Sequence, residues 1–86
     1  MRLPNLESVR MIREHEIVVL TQDLPADGLA AGDAGTVVHV HPDNAGYEVE
    51  IMTLDGQTID VVTVMADQLR SVTRRDIVHV RELAVA

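Results

Sequence analysis

Two valine-rich runs flank a long loop of glycine, proline and aspartate, and this arrangement constrains the fold more than any other feature. The loop spans residues 23–35, and the apolar runs span residues 16–21 and 36–41. Valine and isoleucine favour strands, whereas proline fixes φ and glycine accepts positive φ. The sequence therefore predicts two strands joined by a structured loop. We expect structural roles for six loop residues: Asp23, Pro25, Gly28, Gly32, Asp33 and Gly35.

Three further strands follow in the sequence. Residues 47–53 alternate apolar and acidic side chains, residues 58–65 are rich in valine, and a short strand at residues 69–72 follows a single 3₁₀ turn. Alternation of this kind is typical of strands with one buried face. We predict an all-β fold, a small SH3-like (KOW-like) five-stranded barrel over residues 13–72.

The hairpin between the third and fourth strands admits two loop lengths. A two-residue loop pairs Ile51 with Asp60 and directs a carboxylate towards the core. A three-residue loop over residues 54–56 pairs Ile51 with Ile59 and avoids that cost. We predict the three-residue loop, with Glu50 opposite Asp60 on the outer face.

Both ends of the chain lie outside the predicted barrel. Residues 1–12 form a short lead, predicted as possibly helical, and Met11 is an alternative start to Met1. Residues 73–86 form a C-terminal extension whose residues 76–80 resemble residues 16–20. We predict an extra strand there that adds to its own barrel or to a second copy, so that the protein is a homo-oligomer. The predicted self-association residues are Ile77, Val78 and Val80.

Charge is divided unevenly along the chain. The net charge is −7, there is no lysine, and eleven acids but no arginine lie between Glu14 and Leu69. The seven arginines lie in the tails: Arg2, Arg10, Arg13, Arg70, Arg74, Arg75 and Arg81. Basic tails either fold back on the acidic body, cover another subunit, or stay solvated.

Three acidic residues are predicted to share the outer face of the sheet. Glu48 and Glu50 alternate with the inward Tyr47, Val49 and Ile51. Asp60 faces outward on the next strand in the predicted register. We interpret Glu48, Glu50 and Asp60 as a docking surface for a basic protein, against the alternative of a solvated acidic face.

Other chemistry has less support. His39 and His41 lie two residues apart on one strand face and are weak candidates for metal ligands, but no third ligand has motif spacing. The loop aspartates do not have EF-hand spacing. No nucleophile–histidine–acid arrangement is evident, so we predict a non-enzyme with no cofactor.

The 86 residues contain no cysteine and no long apolar run, and we predict a cytoplasmic protein that does not contact membranes. A domain of this size gains stability from self-association or a partner.

A set of segments carries a family resemblance: residues 16–25, 28–29, 32–40, 47–50, 53–56, 62–64 and 67–70. Over roughly residues 11–72, the chain resembles a bacterial family, domain of unknown function 4926. The resemblance implies a small SH3-like protein without established activity. It also implies an antitoxin- or immunity-like role beside a partner encoded nearby.

Three hypotheses of function follow. The first is a non-enzymatic interaction module that binds a basic protein. The second is a nucleic-acid-binding barrel, since Gly32-Asp33-Ala34-Gly35-Thr36-Val37 also resembles KOW-type barrels. It is disfavoured because such barrels need a basic stripe, usually with aromatic residues, and the basic residues of this chain are confined to its tails. The third is structural self-assembly by strand exchange.

Overall fold

The computed structural model describes residues 11–83, which form one antiparallel sheet of five strands. The strands are β1 (Ile17–Leu20), β2 (Ala34–Val40), β3 (Gly46–Met52), β4 (Thr58–Met65) and β5 (Leu69–Ser71). The predicted five-stranded all-β fold is therefore confirmed. Residues 1–10 of the predicted helical lead lie outside the described part of the chain.

The sheet is open, with strand order β4-β3-β2-β1-β5, so the predicted closed barrel is wrong. The 3₁₀ turn Ala66–Gln68 carries the chain from one edge of the sheet to the other. β5 is only three residues long, and all three residues pair with β1. β4 and β5 remain as two separate edges.

The core is aliphatic and receives side chains from all five strands. Val18, Val37, Val49 and Val64 are almost completely buried. No charged or polar side chain of the described residues is buried with them. The core members are Ile12, Val18, Leu20, Leu29, Val37, Tyr47, Val49, Ile51, Val62, Val64 and Leu69. All eleven precede Val72, so the sheet builds its core without the C-terminal tail.

The β3–β4 hairpin has the predicted loop but a different register. Thr53 pairs with Gln57 across the three-residue loop, and Gly56 has a φ of +90°. A bulge between Met52 and Ile51, with Ile59 as the extra residue of β4, then shifts the pairing, so that Ile51 lies opposite Asp60. The predicted Ile51–Ile59 pairing is wrong. The bulge resolves the conflict because Ile59 still packs against the core while the Asp60 side chain stays exposed.

Gly35 lies where β2 leaves no room for a side chain against β3. A Cβ at this position would lie 2.6 Å from the Glu50 carbonyl oxygen and 2.6 Å from Val49 Cγ1. The glycine is therefore required by contact with β3 and not by a positive φ. The bulge in the β2–β3 pairing lies further along, between Val37 and His39.

The C-terminal tail, defined as residues 72–83, contains no strand. The extra strand predicted at residues 76–80 is therefore wrong for the single chain. A turn at Thr73 is closed by the Asp76 amide, which donates to the Thr73 carbonyl at 3.2 Å. The residues beyond it pair with none of the described strands.

No helix in residues 11–83 is long and apolar enough to cross a membrane.

Candidate protein-interaction face

Strand β3 presents two carboxylates on the side of the sheet opposite the core. Glu48 and Glu50 project from β3 between the buried Tyr47, Val49 and Ile51, as the alternation predicts. Asp60 lies exposed on β4, but it pairs with the inward Ile51, so it is on the core side of the sheet and its predicted place on the outer face is wrong. We call Glu48 and Glu50 the acidic face.

Glu48 is held by two side chains. His41 donates from Nε2 to Glu48 Oε2 at 2.6 Å, and the Thr63 hydroxyl lies 2.9 and 3.0 Å from the two carboxylate oxygens. The His41 hydrogen bond, followed by that of Thr63, lowers the pKa of Glu48 below its usual value. Glu48 is therefore an ionised and oriented acceptor.

Glu50 and Asp60 are held by neutral donors. The Thr58 hydroxyl donates to Glu50 Oε2 at 2.8 Å, and the Val61 amide donates to Asp60 Oδ1 at 2.8 Å. In the observed register Glu50 lies opposite Val61, so the predicted opposition of Glu50 and Asp60 is wrong. The bulge thereby removes a like-charge pair from directly opposed positions.

Arginines of residues 11–83 do not neutralise this face. The ion pairs described among these residues are His41–Glu48, Arg70–Asp76 and Arg81–Asp33. Neither arginine pair includes Glu48 or Glu50. Within residues 11–83, the acidic face therefore combines fixed carboxylates with negative charge that no arginine pair neutralises.

The two histidines on β2 and its end are in contact. The rings of His39 and His41 meet edge to face with centroids 5.2 Å apart. His41 turns towards Glu48 by its hydrogen bond. Within the described part of the chain, no group of three or more histidine, cysteine, aspartate or glutamate side chains is arranged to hold a metal ion.

The loop residues singled out from the sequence organise the segment between β1 and β2. Pro25 begins a 3₁₀ turn, Pro25–Asp27, which ends at Gly28 with a φ of +69°. Asp23 accepts from the Ala31 amide at 2.9 Å. Gly32 also has a positive φ, +95°. These contacts are those of turns and caps, as predicted.

One loop residue has a partner that the sequence analysis did not identify. Arg81 of the tail donates to both carboxylate oxygens of Asp33, at 2.8 and 2.6 Å. The two residues are 48 positions apart, so no local spacing signals the contact. The sequence signal for this contact was the division of charge between an acidic body and basic tails. It allowed three alternatives, of which a tail folded back on its own body was one.

The residues predicted for self-association are solvent-exposed in the single chain. Ile77, Val78 and Val80 are 91%, 78% and 65% exposed. They lie between two anchored points of the tail, Asp76 and Arg81.

A family model for the Domain of unknown function (DUF4926) matches residues 14–71, and the chain belongs to this family. The predicted family is therefore confirmed. No curated protein and no solved structure matches the chain. The SH3-like and KOW-like assignments stay predictions.

Proposed function

We propose that this protein is a non-enzymatic interaction module whose acidic face binds a basic protein. The role is that of an antitoxin- or immunity-like partner, acting in the cytoplasm on a protein encoded nearby. Because the family is a domain of unknown function, the proposal is based on the chemistry of the surface.

The observation that carries the proposal is the preorganisation of the two carboxylates. The Thr58 hydroxyl fixes Glu50, and His41 and the Thr63 hydroxyl fix Glu48. An incoming guanidinium then gains charge-assisted hydrogen bonds and requires little reordering of the acceptors. Solvated glutamates on an ordinary surface would lack these donors.

Affinity capture at low salt tests the proposal. We expect the wild-type chain to retain a basic protein from a bacterial extract, and Glu50→Lys to retain much less of it. A dissociation constant measured with the captured protein should weaken by at least about tenfold, since close interfacial charge pairs contribute on the order of 1.5 kcal/mol or more.

The matched control is Asp67→Lys, which makes the same change of charge at an exposed residue of the 3₁₀ turn Ala66–Gln68. Its effect should be small, because it alters net charge without altering the acidic face. Equal retention by the wild type and Glu50→Lys would refute the proposal. An equal loss in both variants would show that net charge, and not the face, drives capture.

Self-association through the tail is a second candidate, favoured by the exposure of Ile77, Val78 and Val80. Light scattering should give a mass above that of the monomer, and Val78→Asp should restore the monomer mass because a carboxylate cannot be buried unpaired between two copies. A wild-type chain that stays monomeric at high concentration would exclude this candidate.

A further inference from the structure

A guanidinium group is bound by the glycine-rich loop, and the guanidinium belongs to the chain's own tail. Arg81 donates from Nε to Asp33 Oδ1 at 2.8 Å and from Nη2 to Asp33 Oδ2 at 2.6 Å. Nη2 also lies 3.3 Å from the Gly28 carbonyl oxygen. Two parallel bonds to one carboxylate are a geometry that arginine makes and lysine cannot.

The acceptors of this site are positioned by the loop and by β1, independently of the tail. The Ala30 amide donates to Asp33 Oδ2 at 2.8 Å, and the Asp33 carbonyl accepts from the Leu20 amide at 2.9 Å. Gly28 holds its left-handed conformation at the end of the 3₁₀ turn. The Asp33 side chain is only 15% exposed. The site should therefore keep its shape when Arg81 leaves.

An apolar groove continues from the guanidinium site. A cavity of about 110 Å³ lies beside Asp33 and is lined by Leu29, Ile51, Ile59 and the tail residue Leu83. Leu83 remains 49% exposed, so it fills the groove only in part. Arg81 and Leu83 thus reach a charged acceptor and an apolar groove with one residue between them.

Between Asp76 and Arg81, neither strand pairing nor burial holds the tail in this position. At its start, Arg70 donates to both carboxylate oxygens of Asp76 at 2.9 and 2.8 Å. From Ile77 to Val80 the tail forms no strand, and its apolar side chains are exposed. The Arg81–Asp33 contact is therefore the main attachment of the tail's end to the body.

We propose that the loop and groove form a binding site for an arginine followed two positions later by an aliphatic residue, and that Arg81 and Leu83 are its internal occupant. A segment of a basic partner protein with this pattern displaces the tail. The inference deepens the proposed function, because it rests on a basic partner, but it uses Asp33 and the groove and not the acidic face.

Peptide titration into the full chain tests the site. The probe is a synthetic peptide with the sequence of residues 76–83, and the readout is the NMR shift of the Gly28, Leu29 and Asp33 amides. We expect the peptide to bind Arg81→Ala at least about tenfold more tightly than the wild type, in which the tethered Arg81 competes at a high effective concentration. A peptide with lysine in place of the arginine should bind much more weakly to Arg81→Ala.

Two controls keep the outcomes distinct. Asp33→Asn retains an acceptor for the Ala30 amide but removes the charge, and should abolish peptide binding while the sheet resonances stay in place. Glu50→Lys should leave peptide binding unchanged. The outcome of this test is therefore independent of whether the acidic face binds a basic protein. No shift in Arg81→Ala, or equal binding of the arginine and lysine peptides, would overturn the inference.

Discussion

Two segments of this chain share a pattern of an acid followed by mostly apolar residues, but they have opposite surroundings. Glu16-Ile17-Val18-Val19-Leu20 includes the strand β1, whereas Asp76-Ile77-Val78-His79-Val80 lies in the tail and forms no strand. Val18 is 1% exposed and Val78 is 78% exposed. β1 pairs with β2 on one side and with β5 on the other. An apolar, β-branched run therefore has the capacity to form a strand, and the available pairing edges decide whether it does.

The two regions also differ in how their carboxylates are held. Glu50 of the acidic face accepts from a hydroxyl, whereas Asp33 and Asp76 are bound by arginines of the tail and of β5. Negative charge is consequently left open on the acidic face and is neutralised where the tail is attached. This difference places the proposed partner surface on the sheet.

The largest loss of stability should come from a substitution at Gly35, where β2 lies close against β3. Gly35→Ala places a Cβ 2.6 Å from the Glu50 carbonyl oxygen, and β2 and β3 must separate to admit it. We expect a loss of about 3 kcal/mol or more in the free energy of unfolding, measured by urea denaturation.

Gly46→Ala is the matched control, because its Cβ meets its nearest neighbours at 3.4 and 3.5 Å. It should cost much less than Gly35→Ala. Similar stability losses in the two variants would show that the contact with β3 does not explain the requirement for glycine at position 35.

The comparison of the two similar segments is tested directly by one substitution in each. Val18→Ala removes two buried methyl groups and should lower the free energy of unfolding by about 2–3 kcal/mol. Val78→Ala should change it by less than about 0.5 kcal/mol, as for other exposed positions. If Val78→Ala destabilises the chain as much as Val18→Ala, the tail is packed in a way that the single chain does not show.

Acid should detach the tail before it affects the sheet. The Arg81 hydrogen bonds hold the pKa of Asp33 below its usual value of 3.8, while partial burial opposes them. A depressed folded-state pKa means that the contact stabilises the fold above pH 3.8 and that this contribution is lost as pH falls through the lower, folded-state pKa. The amide shifts of Gly28 and Leu83 should therefore change together below pH 3.8, and in Arg81→Ala this joint change should be absent.

The smallest expected effect is a change in the pKa of Glu48 on the acidic face. His41→Ala removes the main hydrogen bond that lowers the pKa of Glu48, so that pKa should rise towards its usual value of 4.5. Thr63→Val should raise it less, since the Thr63 bond is the second cause. Carboxyl NMR titration measures both. A Glu48 pKa that is unchanged in His41→Ala would mean that the two side chains are not paired in solution.

Much of the sheet could be predicted from local patterns. The strands, the three-residue hairpin loop and the 3₁₀ turn Ala66–Gln68 follow from apolar runs separated by glycine, proline and aspartate. The hairpin register was missed because strict alternation was assumed on β4. The buried pair Val62 and Val64, together with the core-packed Ile59, required one extra residue in that strand. Adjacent valines at 61 and 62 concealed this signal, since either one fits an inward position.

Long-range contacts account for the remaining differences. The strand β5 was predicted. The sequence does not show, however, that all three of its residues pair with β1 and that the sheet therefore stays open. The apolar pattern at residues 76–80 indicates that this segment is able to form a strand, but it does not indicate which strand it would pair with. The Glu48–His41 contact was within reach of sequence reasoning, because the turn between β2 and β3 brings these residues together. The Arg81–Asp33 contact was not, because it depends on the path of the whole tail.

Residue-by-residue amide hydrogen exchange of the full chain tests the central claim that the sheet is complete without the tail. The account predicts strong protection for β1 amides such as Leu20, which donates to the Asp33 carbonyl, and near-random-coil exchange from Ile77 to Val80. Protection of residues 77–80 comparable to that of β1 in the monomer would contradict it, because the tail would then be a paired strand of the fold.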